Sequence, residues 1–172
     1  MRRLGVIVAL GALLGMFGGL MTASPALARG PKWQFQSKAA TILPAELCGF
    51  EVRVTAPVNR EFAKILKASD GSMILLATGS VTSSYTNLET RKTITENISG
   101  PARVTFFPDG SITALERGRN ELTLPPADAA RFGLPTVSVT VGRRSVSRAP
   151  DGSITSLSLD GHVAVDVCAA LS

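Results

Sequence analysis

From residue 48 onward, apolar and polar positions alternate with a period of two over most of the chain. Phe50, Val52 and Val54 alternate with Glu51, Arg53 and Thr55. Ala102, Val104 and Phe106 alternate with Arg103, Thr105 and Phe107, and Val137, Val139 and Val141 with Thr136, Ser138 and Thr140. Val163, Val165 and Val167 are separated by Ala164 and Asp166. Alternation rich in β-branched residues marks strands that bury one face. The pattern predicts eight strands, at about 50–57, 62–68, 72–87, 91–99, 102–107, 111–118, 136–147 and 153–167. Phe62, Ile65 and Leu66 also carry a helical spacing. The Asp70-Gly71 turn with an apolar run beyond it, Met73 to Leu76, favours a hairpin instead. The two longest strands are expected to bend at Gly79 and near Asp160-Gly161. One short helical turn is expected near 125–132, where prolines open and Gly133 closes the segment.

The hexapeptide PDGSIT occurs at Pro108–Thr113 and again at Pro150–Thr155. Proline presets the first turn residue, aspartate suits the second, and glycine takes the left-handed position of a bulged hairpin. A calcium loop needs acidic oxygens at alternate positions, which neither copy holds. The flanks of the two copies share little, so this is turn chemistry used twice. The fold class is therefore all-β, an antiparallel meander of about eight strands. Closure into a barrel removes the exposed edges; a two-sheet β-sandwich is the alternative.

The ends of the chain add a destination. Arg2-Arg3, an apolar stretch from Leu4 to Met21 and the small-residue pattern Ala26-Leu27-Ala28 read as a secretory signal peptide over residues 1–28. Residues 29–47 lack a clean period and read as a flexible leader, leaving 48–172 as a single β domain. No stable membrane anchor is expected after processing. In an exported chain the two cysteines, Cys48 and Cys168, read as one disulfide bracketing the domain. Antiparallel closure of eight strands sets the start of the first strand beside the end of the last, where these cysteines lie. One detail resists: Cys48 shares parity with Phe50 and Val52, whereas Cys168 shares parity with Asp166.

Charge changes the picture little. Removing Arg2 and Arg3 from 18 basic residues leaves 16 against 13 acidic ones. A small positive balance does not call for nucleic acid. Arg143, Arg144 and Arg148 form the tighter basic group and, with Arg103, are the candidate contacts for an anionic cell-wall polymer. The other partner expected is a small apolar ligand inside the barrel, as eight-stranded barrels can hold.

The chemistry-bearing residues are sparse. His162 is the one histidine, so a zinc site is not expected; a Ser-His-Asp triad would have to use it. No Gly-x-Ser-x-Gly elbow, Ser-x-x-Lys pair or phosphate loop occurs. Glu96, Glu116, Asp128 and Asp166 are the carboxylates from which a glycosidase pair would have to be drawn. No cofactor, metal or catalytic residue is assigned.

From Leu43 onward the chain resembles a set of small exported all-β proteins of actinobacteria. The residues that carry the resemblance are Leu43-Pro44-Ala45 with Cys48-Gly49-Phe50, Thr86 to Thr90, Pro108-Asp109-Gly110, Gly118-Arg119-Asn120, Pro135 with Val141-Gly142-Arg143, and Asp166 to Leu171. Arg119 stands where that family often has histidine. The resemblance implies export, an all-β domain and the two-cysteine bracket, and carries over no catalytic residue. The combined expectation is an exported, disulfide-pinned binding or surface-interaction protein. A cell-wall module using a basic face and a secreted hydrolase are the alternatives.

Overall fold

Strand pairing follows the alternation and extends it. The computed structural model describes residues 30–172; the signal peptide lies outside them. The elements run β1 (Gln34–Phe35), β2 (Thr41–Leu43), α1 (Ala45–Cys48), β3 (Val52–Lys67), β4 (Met73–Asn87), β5 (Thr93–Ser99), β6 (Ala102–Phe106), β7 (Ile112–Thr123), α2 (Pro126–Phe132), β8 (Val137–Arg148), β9 (Ile154–Asp166) and α3 (Val167–Leu171). They build one nine-stranded antiparallel sheet, a meander in which β5 and β6 share the place between β4 and β7. The first two expected strands are one: β3 runs through Ala56-Pro57 with a register shift between Thr55 and Val58. A bulge accommodates the proline, which has no N–H to give a ladder. The leader is not a loose segment. Gln34 and Phe35 pair with Ala63 and Phe62, and Thr41 to Leu43 pair with Val54 to Val52. The compact unit accordingly begins at Pro31, not at residue 48.

The three hairpins at one end of the sheet use one device. In Asp70-Gly71-Ser72, Asp109-Gly110-Ser111 and Asp151-Gly152-Ser153, the aspartate Oδ1 accepts from the serine N–H and hydroxyl. The glycines of the repeated hexapeptide have φ of 87° and 84° at Gly110 and Gly152, the left-handed turn position.

Halfway along the strands the sheet breaks over a row of glycines. Gly118 pairs with Gly142 and Gly142 with Gly161. Gly79 and Gly100 extend the row on β4 and after β5. The backbones approach so closely here that a Cβ on Gly118 would sit 2.5 Å from the Ser99 carbonyl oxygen. Both expected bends, at Gly79 and Asp160-Gly161, belong to this crease.

The crease creates a corner. On the turn side of it, Ala77, Ala102, Glu116 and Arg144 lie in register on one face. On the other side, the larger core takes Tyr85, of the same parity as Ala77. From β8, however, it takes Val137 and Val139, whose parity is opposite to that of Arg144. The two portions of the sheet diverge between β5 and β7, where a single pair, Ser99–Arg119, joins them. Sheets that turn a corner pack opposite faces in this way.

Two cores result. The first packs Val52, Tyr85, Val137 and Val139 with Leu47 of α1 and Val167 and Leu171 of α3. The second packs Leu122, Leu124, Val146 and Ile154 under Ala129 of α2, the short helix expected near 125–132.

The sheet curls into a partial ring. Among the described residues no ladder joins β3 to β9, so strand pairing does not complete the expected barrel. The Cys48–Cys168 disulfide crosses the opening with Cα atoms 5.0 Å apart. The parity conflict disappears because both cysteines sit in helices, not strands. Asp166 caps α3 by accepting the Ala169 N–H at 3.0 Å.

Candidate functional site

The four arginines expected on a basic face divide between two faces. Adjacent strand residues point oppositely, so Arg143 and Arg144 cannot share one. Arg144 is 5% exposed. Its Nε donates to Glu116 at 2.7 Å, its Nη1 to Thr140, and its Nη2 to the Glu121 carbonyl at 2.7 Å and to the Glu116 carboxylate. It is a structural ion pair beneath the crease. Arg148 has the same parity as Arg144, and its Nη1 donates to the Gly152 carbonyl at 3.0 Å, bracing a turn. Burial lowers its guanidinium from the ordinary arginine range, against the favourable charge of Asp128. Arg144 and Arg148 are therefore removed from the anionic-polymer site.

Arg103 and Arg143 remain exposed, and a third cation joins them. Arg117 of β7 is the direct cross-strand partner of Arg143, and Arg103 is the partner of Leu115, two residues before Arg117. All three arginines border an open groove of about 470 Å³ that also includes Trp33, Leu76, Pro101 and Leu115. Among the described residues, none of the three guanidinium groups lies within ion-pair distance of a carboxylate. Like charges directly opposed on a sheet are unfavourable by a fraction of a kcal/mol, up to about 1 kcal/mol. Arg143 stands between Arg117 on β7 and Asp160 on β9, its other cross-strand partner, and among the described residues it closes no ion pair with that acid.

The wall of the groove comes from the leader. Pairing of β1 with β3 places Trp33 beside Lys64, whose Nζ lies 4.8 Å from the indole centroid. The next aromatic on that side, Phe35, meets Phe62 edge-on with centroids 6.0 Å apart. The strap is tied by Asn59 Nδ2 donating to the Gln36 carbonyl at 2.6 Å and by the Lys38–Glu61 ion pair at 3.3 Å. Trp33 nevertheless stays 46% exposed and Leu115 38% exposed.

No family model, curated protein or solved structure matches the chain. The groove therefore has to be read from its own chemistry.

The carboxylates that a hydrolase would need are each engaged elsewhere. Glu96 pairs with Arg119, Glu116 with Arg144, and Asp128 with Arg131 at 4.0 Å along α2, while Asp166 caps α3. Glu96 and Glu116 serve different clusters and do not face one another. Beside Glu96, the Tyr85 hydroxyl donates to Glu121 Oε2 at 2.7 Å. Burial first, and then the neighbouring Glu121 charge, push the Tyr85 phenol above its ordinary range. His162 is exposed on β9 opposite Val141. Among the described residues there is no cluster of three or more His, Cys, Asp or Glu side chains suited to a metal.

Arg117 and Trp33 are the site residues that alternation alone did not single out. Arg117 lies in the stretch Glu116-Arg117-Gly118 at the expected end of a strand. Its role depends on the register with β8, which continues unbroken to Thr123. Trp33 falls in the leader, whose docking on β3 has no strong periodic signal in the sequence.

Proposed function

We propose that this chain is an exported binding protein that recognises an anionic group of the cell envelope in the Arg103–Arg117–Arg143 groove. The observation that carries the reading is the directly opposed pair Arg117–Arg143 with Arg103 beside it, three exposed arginines on one groove against the single acid Asp160 opposite Arg143, with which no ion pair forms. A phosphate, sulfate or carboxylate between those guanidinium groups accepts charge-assisted, bidentate hydrogen bonds and relieves their repulsion. Export rests on the signal-peptide pattern of residues 1–28, ending in Ala26-Leu27-Ala28. The Cys48–Cys168 bond suits an oxidising compartment, and among the described residues no helix is long and apolar enough to cross a membrane.

The test is binding of dextran sulfate against uncharged dextran. Retention should weaken as salt screens the contacts. It should fall at least about tenfold, the equivalent of about 1.4 kcal/mol, in an R103Q/R117Q/R143Q variant, while R53Q on the far part of β3 stays at wild-type affinity. Equal loss in R53Q, or undiminished binding by the triple variant, would reject the groove.

A further inference from the structure

The groove is not built for charge alone. Its floor between the arginines is apolar: Leu76 and Leu115 lie in one cross-strand row with Arg103 between them. Leu115 is 38% exposed although it belongs to neither core. A lone exposed leucine is ordinary. Exposed Leu115 and exposed Trp33 lining one depression rimmed by three cations is a different arrangement. Polar acceptors are scarce there. Thr78 and Glu116 border the groove, but the Glu116 carboxylate is committed to Arg144, and Asp160, opposite Arg143 on β9, lies outside the lining. A sugar needs acceptors for its hydroxyls as well as a ring to stack on. Here an anionic head meets guanidinium donors at one side, and the rest of the ligand meets hydrocarbon. At about 470 Å³ the depression falls within the usual size of a small-molecule site.

Resting on the anion-binding reading, we infer that the natural ligand is a single-chain anionic amphiphile, its head held by Arg103, Arg117 and Arg143 and its chain laid over Leu76 and Leu115 against Trp33. The chain buries the leucine and the indole from water, and the head satisfies the opposed arginines. Neither half-ligand does both.

Trp33 is the single tryptophan of the chain, so its fluorescence reports on this groove directly. The experiment titrates the protein with dodecyl phosphate below its micelle concentration, with inorganic phosphate and dodecyl maltoside as head-only and chain-only arms. The expected result is a saturable blue shift with dodecyl phosphate, at least about tenfold tighter than either half-ligand. R103Q/R117Q/R143Q should weaken dodecyl phosphate and dextran sulfate together. Leu115→Asp should weaken dodecyl phosphate alone. Retention of dextran sulfate with dodecyl phosphate binding no tighter than inorganic phosphate would overturn the amphiphile and leave the anion site standing. An equal shift with dodecyl maltoside, unchanged in the arginine variant, would overturn the head selection and with it both readings. Failure of both anionic probes would do the same.

Discussion

Arg143 and Arg144 are neighbours in sequence and opposites in role. Arg144 is buried, with donors spent on Glu116, Thr140 and a carbonyl. Removing one member of a buried pair strands the other, so Arg144→Ala should cost about 3–5 kcal/mol of stability. Arg143 is exposed beside Arg117. Arg143→Gln removes a like-charge neighbour of Arg117 and an opposite-charge neighbour of Asp160 together, so it should leave the urea midpoint unchanged within about 0.5 kcal/mol, and weaken anion binding. Equal destabilisation by both substitutions would refute the face assignment. The sequence grouped the two because they are adjacent; only the strand parity, once applied to that pair, separates them. The turn aspartates give a second residue-scale expectation. Hydrogen bonds from the following serine hydroxyl, and then from its N–H, hold the Asp70, Asp109 and Asp151 carboxyls below the ordinary 3.8. A depressed folded value means the stabilisation is complete above about pH 4 and is lost as pH falls through the folded values. Asparagine keeps the accepting oxygen without the proton. Urea midpoints of a D70N/D109N/D151N variant between pH 2 and 6 should therefore fall less steeply on the acid side than wild type, and an identical acid slope would count against the turns.

The glycine row does at the level of elements what no single strand does: it lets four strands bend at one line so that the sheet turns a corner. Gly142→Ala would drive its Cβ into the Asp160 carbonyl of the paired strand. Gly152 also has positive φ, yet an added Cβ there meets nothing within 4 Å. Gly152→Ala should thus cost about 1 kcal/mol, the left-handed strain alone. Gly142→Ala should cost clearly more, because a backbone contact has to shift as well. Thermal unfolding of the two variants compares them; the reverse order would mean that the crease tolerates side chains. The sequence made the bends at Gly79 and Asp160-Gly161 legible, since glycine interrupts an otherwise β-branched run. It hid the row, because Gly118 ended its expected strand and the alignment of Gly118, Gly142 and Gly161 is a matter of register across three strands. The helices were unevenly visible for a related reason. Proline and glycine flank α2 in the sequence, whereas α3 is one turn long and its valines continue the strand alternation into Val167. Its only local signal is Asp166, a capping residue that also fits a strand's polar face.

The curled sheet leaves β3 and β9 unpaired to each other, and two short helices close the gap. α1 and α3 pack Leu47, Val167 and Leu171 into the first core, and the disulfide joins the two helices. Asn87 Nδ2 donates to the Leu171 carbonyl at 3.2 Å and Lys92 Nζ to that of Ser172 at 2.7 Å, fastening α3 from the β4 side. The cross-link spans 120 residues, and the chain-entropy model gives a loop of that size about 4–5 kcal/mol. A C48S/C168S variant should lose about 2–5 kcal/mol while keeping its strand content and its groove, which lies on the turn side of the crease. The location of the loss distinguishes a seam from a general brace. With hydrogen bonds of β7, β8 and β9 independent of the seam, amide exchange in the variant should accelerate first at α1, α3 and the Asn87 region. The β7–β8 ladder should remain protected in proportion to global stability. If instead exchange rises evenly through every ladder with no early opening at α1 and α3, the disulfide stabilises the ensemble as a whole and the helices close nothing that the strands leave open.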